Sequence, residues 1–236
     1  VVAYRFTNRP FQLDLLVRRQ QPGLSGAAEH ALLISRRKIR VHSAWDLKLA
    51  GAPKSTITLR LPPNYLLLDA ASPHLSDWSI TDADNGKLLH LELASPMTGD
   101  VPLVISGVIP RQPDELQLSL TVPTATEADG MRSSVAIWLD SVYLGAMNDI
   151  GSWRSVDPER LPAQLRGRVE RAVQFAFTAT GTELPPIGLT LQQRQPRLAA
   201  AALTTIIAKD TAVEYSIACK WKITRAVSDT FSFTTP

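Results

Sequence analysis

An all-β fold of mainly antiparallel strands is predicted by three observations. Apolar and polar residues alternate with period two along most of the chain, turn-forming dipeptides separate the alternating runs, and the 17 prolines fall mainly between those runs. A parallel sheet buried on both faces would show continuous apolar runs instead. The expected architecture is therefore an antiparallel β-sandwich.

The elements follow in chain order. From Ile39 to Leu49 one face carries Ile39, Val41, Ser43, Trp45, Leu47 and Leu49, and the other Arg40, His42, Ala44, Asp46 and Lys48. Successive strand side chains point to opposite faces, so this is a strand with one wet side. Shorter runs are Ile57-Leu59-Leu61, Leu89-Leu91-Leu93, Val101-Leu103-Ile105 and Leu116-Leu118-Leu120-Val122. Asn85-Gly86, between Trp78-Ser79-Ile80 and the run ending at Leu93, predicts a hairpin, because both residues tolerate positive φ. Asp129-Gly130 predicts another turn. Asp157 followed by Pro158 predicts a helix start, which Pro162 limits to about one turn. The last alternating run is Val213, Tyr215, Ile217, Cys219, Trp221 and Ile223 against Glu214, Ser216, Lys220 and Lys222. Cys219, Trp45 and Trp221 all lie on apolar faces and are expected in the core.

Composition bounds the function classes. The 236 residues are 44% hydrophobic and 20% charged, which suits a globular chain. A net charge of +3 is too small to make the whole chain a polyanion binder, and the one basic cluster, Arg36, Arg37, Lys38 and Arg40, has no interleaved aromatic residues for base stacking. That cluster reads as a charged turn that discourages edge pairing, so no nucleic-acid partner is expected. A single cysteine allows no internal disulfide and no cysteine-based metal site. No run approaches the ~20 apolar residues of a membrane helix, so no membrane insertion is expected. The opening at Val1, already in a strand-like pattern, reads as a segment of something longer.

The two ends of the sequence resemble each other. Val2-Ala3-Tyr4-Arg5-Phe6-Thr7 returns as Val173-Gln174-Phe175-Ala176-Phe177-Thr178, and Arg19-Gln20-Gln21-Pro22-Gly23-Leu24 as Gln193-Arg194-Gln195-Pro196-Arg197-Leu198. Ala27-Ala28 matches Ala201-Ala202, Trp45 matches Trp221, and Thr56-to-Pro62 matches Thr230-to-Pro236. The predicted division is a β-sandwich module over residues 1–172 and a partial second copy over 173–236, packed in series or extending the first.

These motifs (the aromatic-x-Phe-Thr opening, the Gln-Pro turn, the Trp strand and the Leu-Pro ending) resemble large, repetitive, exported all-β proteins of bacteria, which are mostly uncharacterised. The resemblance implies a place outside the cytoplasm, in the periplasm, at the cell surface or secreted. It implies no catalytic residues.

Signatures of chemistry are sparse. There is no Gly-x-Ser-x-Gly elbow, phosphate-binding loop or dinucleotide fingerprint. His30, His42, His74 and His90 lack metal-ligand spacing, and Asp82-Ala83-Asp84-Asn85-Gly86 lacks the third acidic position before the glycine of a calcium loop, with Glu92 one place short of the bidentate ligand position. No metal and no cofactor are expected. The segment from Trp138 to Arg171 departs most from alternation. Its Trp138, Asp140, Tyr143, Asn148, Asp149, Trp153 and Asp157 are the candidate ligand-binding residues, because rings stack on sugar faces while carboxylates and amides bond hydroxyls. The competing reading is a connection pinned by buried tryptophans and capped by Asp157.

The expected function is thus a non-catalytic structural or interaction module of a larger extracytoplasmic repetitive protein: a scaffold, stalk or adhesive envelope component. Its expected partners are neighbouring modules of the same polypeptide, with glycans or other envelope proteins as further candidates. A carbohydrate-binding module using residues 138–160 is the alternative. A glycoside hydrolase on a sandwich, which needs two carboxylates about 5–9.5 Å apart, ranks third.

Overall fold

The computed structural model describes residues 20–84, 86–195 and 197–224. Val2–Thr7, Arg19, Asn85, Pro196 and the segment from Thr230 to Pro236, all used in the sequence reading, lie outside the described residues. The chain is all-β, with fourteen strands and two short helical turns among the described residues.

The expected short runs join into unusually long strands. The runs at 39–49 and 57–61 are one strand, β2 (Lys38–Leu61, 24 residues), and those at 89–93 and 101–105 are another, β5 (Gly86–Pro110, 25 residues). A register shift between Leu49 and Lys54 marks a bulge where the two halves of β2 meet. Gly51 sits there at φ 77, and a Cβ on it would collide with the Gln21 carbonyl oxygen. Only glycine fits both constraints.

The first hairpin founds the large sheet. β1 (Gly23–Ile34) and the first half of β2 pair antiparallel over twelve residues, from Gly23↔Ala50 to Ile34↔Ile39. β5 then covers the outer edge of β2, from Lys38↔Pro110 to Leu49↔Gly99. β8 (Gly130–Leu139) covers the outer edge of β1 in parallel, from Ser25↔Gly130 to Ile34↔Leu139, so the sheet is not wholly antiparallel. β11 (Phe175–Thr180) adds beyond β8, and β10 (Arg154–Ser155) beyond β11. β3 (Leu66–Ala71) and β4 (Leu75–Ala83) pair with the two halves of β5, and β7 (Thr124–Ala125) with the far end of β2. β4 meets β5 at Ala83↔Gly86, the tight connection that Asn85-Gly86 predicts. β6 (Gln117–Leu120), β12 (Ile187–Gln193) and β9 (Tyr143–Asp149) form a separate three-stranded sheet in the order β6-β12-β9.

One main core gathers side chains of both sheets. Leu32, Val41, Trp45 and Leu47 of the first hairpin join Leu118 and Leu120 of β6 and Ile187, Leu189 and Leu191 of β12. Each such side chain, taken fully out of water, stabilises by about 1.5–3 kcal/mol. Residues 175–193, which open the expected second copy, pair into the sheets of the first. The sheets therefore run on across residue 172, and the strand pattern breaks instead after Gln193.

Periodicity does not single out Tyr65, yet it is fully buried. Asn64 in the left-handed region (φ 58) and the bond from Tyr65 N to Pro62 O turn the chain inward. The ring fills the space over Gly107, where any Cβ would collide with it.

β13 (Arg197–Ala208) and β14 (Val213–Thr224) pair only with each other among the described residues. Contrary to the core expectation, Cys219 is exposed and Trp221 is 37% exposed, with Tyr215 at 69% and Ile206 at 60%. Alternation places these residues on one face correctly, but neither hydrophobic core of the described chain includes them. Trp45, by contrast, is 2% exposed.

Beside Trp45 lies a buried polar pair. His30 and Ser43 face each other across the hairpin, with His30 Nδ1 2.8 Å from Ser43 Oγ, and the imidazole meets the Trp45 ring edge-on at 5.4 Å. Burial lowers the His30 pKa to about 3, from 6.5. The unfolded chain therefore takes up a proton that the folded chain refuses, so this contribution is complete above pH 6.5 and is lost as pH falls towards 3. Between about pH 6 and 4, unfolding free energy should fall by up to about 1.4 kcal/mol per pH unit on this account. In a double variant His30→Thr/Ser43→Ile, denaturant titrations at a series of pH values should show a clearly shallower slope over that range. An unchanged slope would assign the acid sensitivity to other groups.

Candidate functional site

The seven sequence-predicted site residues do not converge. β8 runs between two apolar layers: Val135, Ile137 and Leu139 enter the main core, while Ala136 and Trp138 face the other side. There Trp138 packs with Ala31, Ala176, Leu161 and Leu165, beneath the segment that follows β10. It is fully buried, and its Nε1 donates to the Arg171 carbonyl at 3.0 Å. Tyr143 and Trp153 sit in the main core on the opposite side of the sheet. Trp153 Nε1 donates to the Pro185 carbonyl at 2.8 Å, and the Arg111 guanidinium lies 5.4 Å from the centre of the Tyr143 ring. Each of these two indole N–H groups has an internal acceptor, as buried polar groups require. All three aromatic residues are interior, at 4% exposure or less, so none offers a sugar-stacking ring face.

The polar members perform local tasks. Asp140 accepts the Ser141 N–H at 2.6 Å and lies 3.6 Å from the Arg171 guanidinium. Asn148 Nδ2 donates to Thr190 Oγ1 at 2.5 Å, joining β9 to β12. Asp149 accepts the Gly151 N–H at 2.8 Å and so closes a turn. Asp157 accepts the Glu159 N–H at 2.9 Å, capping the single 3₁₀ turn Pro158–Arg160 as its sequence predicts. Among the described residues, no three His, Cys, Asp or Glu side chains gather as a metal site would require.

The arrangement with most chemical potential lies elsewhere, on the outer face of the large sheet. The segment 156–173 covers that face over β11, β8 and β1, with the short helix α1 (Ala163–Arg166) pressing Leu165 inward. Its Arg168 and Val169 line a cleft of about 470 Å³ together with residues of β2 and β5. The lining includes the apolar Leu33, Leu68 and Val108 and the cationic Lys38, Arg40 and Arg168. A second hollow of about 250 Å³, on the side of Glu29 and Asp46, shares His42 and Arg168 with it. His42 Nδ1 is 3.0 Å from Ser106 Oγ on β5, and its buried Nε2 has no hydrogen-bond partner.

Electrostatics decide what this pair can do. Partial burial and then the Arg168 charge lower the His42 pKa, so the ring is neutral at neutral pH and a weakened base. A serine nucleophile is activated by a histidine that a carboxylate orients through its other nitrogen. Here that other nitrogen has no hydrogen-bond partner. The three cationic side chains in a partly apolar lining suit electrostatic retention of an anionic group better than acyl transfer. Alternation places His42 on a polar strand face. Its approach to Ser106 and Arg168 depends on pairings between distant parts of the chain, for which the sequence carries no local signal.

No family model and no curated protein matches the sequence. Among solved structures, the chain is similar to an M1 zinc metallopeptidase from Deinococcus radiodurans, at 12% identity and a TM-score of 0.41 over 92% of this chain and 51% of that one. It is also similar to native yeast LTA4 hydrolase, at 13% identity and a TM-score of 0.42 over 82% of this chain and 32% of that one. The chain spans about half the length of the first and a third of the second. Likeness at this level assigns no activity.

Replacing Arg168 by Met should raise the His42 pKa in an NMR titration, without restoring the full model-peptide value because burial remains. A His42 pKa that stays put or falls would show that the guanidinium does not act on the ring.

Proposed function

We propose that this chain is a non-catalytic structural or interaction module of a larger repetitive protein, which its strand motifs, by resemblance, place outside the cytoplasm. One observation carries the reading: a hairpin of one design occurs twice. β1 with the first half of β2, and β13 with β14, each pair twelve residues with twelve, and every pair in the first has its counterpart in the second at one constant offset along the chain. Gly23↔Ala50 becomes Arg197↔Thr224, and Ile34↔Ile39 becomes Ala208↔Val213. Even the turn is the same, since Ser35 N donates to Lys38 O at 3.0 Å and Lys209 N to Ala212 O at 2.8 Å.

At this constant offset Trp45 corresponds to Cys219, and Leu47 to Trp221. The two tryptophans thus share a face without sharing a register position. Period-two geometry explains why a slip of two positions leaves the apolar pattern intact. The buried His30, Ser43 and Trp45 cluster corresponds to Thr204, Ile217 and Cys219, which are exposed. Gly26, at φ 144, corresponds to Ala200, whose φ is not positive, so the second hairpin lacks that local distortion.

The reading makes residues 197–224 the founding hairpin of a further copy, and residues 175–193 strands shared with the copy before it. A chain ending at Gln195 should melt within about 3 °C of the full chain, a difference equivalent to roughly 1 kcal/mol at this size. A chain ending at Ala172 loses Phe177, Ile187, Leu189 and Leu191 from the core and should show no cooperative transition. A fall of about 10 °C or more on removing residues 196–236 alone would make the second hairpin part of the first module and end the repeat reading.

A further inference from the structure

The face of the second hairpin that carries Ile206, Tyr215, Ile217 and Cys219 corresponds, position by position, to the face of the first that carries Leu32, Val41, Ser43 and Trp45. In the first hairpin all four are buried, and the cover is known. β6 and β12 lie in the core with that face, β8 pairs with the edge of β1, and β5 with the edge of β2. In the second hairpin the same face is exposed, and neither edge has a strand among the described residues.

A bare two-stranded ribbon is marginal in water, and open edges beside exposed apolar side chains invite pairing. The opposite face of β14 carries Glu214, Lys220 and Lys222, at the positions of Arg40, Asp46 and Lys48 on the wet face of β2. The ribbon therefore has one side built for water and one built for a core.

We propose that this apolar face and both edges are the docking surface for a second copy of the module. The following strands equivalent to β5, β6 and β8 would build onto the hairpin as their counterparts build onto β1 and β2, and the copy after that would supply the equivalent of β12. Neighbouring copies are then interlocked rather than strung on a linker: β11 and β12 belong by sequence to the copy that the second hairpin founds, yet they complete the sheets of the one before. The inference rests on the repeat reading and names the partner that the reading requires.

Cys219 reports on it, being the only thiol in the chain and exposed. Pro236 follows Pro62 at the same offset that relates the two hairpins, so the next module is supplied by extending the full chain with its own residues 63–195. At concentrations where sedimentation shows a monomer, dithionitrobenzoate should react with Cys219 at least about 100-fold more slowly in the extended chain, because reaction then waits for opening of a cooperative unit.

A second variant guards against an extension that fails to fold. In the full chain with Cys219→Ser, residues 23–50 are replaced by the sequence of 197–224, which has the same length and puts the only cysteine at the position of Trp45. This chain should melt cooperatively with its thiol protected. Protection in either chain upholds the proposal. It is overturned if Cys219 stays fully reactive in the extended chain and the exchanged chain does not fold, or if the unextended chain protects Cys219 by self-association. Because the truncation at Gln195 is measured separately, a hairpin that belongs to the first module is distinguished from a hairpin that docks something other than a second copy.

Discussion

Burial of the β1–β2 hairpin on one face and along both edges is the constraint on which the rest of the architecture depends. Its inward side chains, from Leu24 to Leu49, meet the core from one side, and the second sheet supplies Leu118, Leu120, Ile187 and Leu189 from the other. The edge of β1 takes β8 in parallel and the edge of β2 takes β5 antiparallel, so twelve residues of each strand are bonded on both sides or nearly so. At a few kcal/mol per fully buried aliphatic side chain, this set outweighs any single feature elsewhere in the molecule. It also leaves room for an uncharged imidazole, with His30 held by Ser43 and packed on Trp45.

The parallel contact between β1 and β8 has a consequence for chain order. β8 cannot follow β1 through a tight turn, so roughly a hundred residues pass between them, and these form the long strands β2 and β5 and one strand, β6, of the second sheet. β11 and β12 then close the two sheets from the far end of the sequence. A module whose last strands come from the start of the next repeat has no free boundary of its own. On the proposed repeat reading this sharing would make an array rigid, since neighbouring copies could not swing apart without unpairing strands.

Much of the fold is legible in the sequence because it rests on local rules. Alternation at Ile39–Leu49 predicts both the strand and the right inward face, and Asp157-Pro158 marks a capped turn of the expected length. The union of short runs into β2 and β5 is hidden, since the joining stretches, such as 51–56, are bulged and largely solvent-facing and so carry no apolar rhythm. Alternation also predicts the correct face for Cys219 and Trp221 but not its exposure, because periodicity says which side of a strand is apolar and nothing about what covers it. The ring-and-carboxylate segment misleads for a related reason. Trp138 lies on one side of the large sheet and Tyr143 and Trp153 on the other, a separation that sequence proximity conceals. The cleft around His42 and Arg168 is invisible in the sequence, being assembled from β2, β5 and the segment after β10.

Two hairpins with the same strand lengths, turn and register, one covered and the other without cover among the described residues, provide an internal comparison: the backbone pairing is matched, while side chains and surroundings differ. Residue-resolved amide hydrogen exchange on the full chain compares them directly. Amides of β1 and β2 should open only with global unfolding, while their counterparts at matched register in β13 and β14 should exchange several orders of magnitude faster, through local opening. Equal protection at matched positions would contradict the account, since it would mean that the second hairpin already has its cover within this chain.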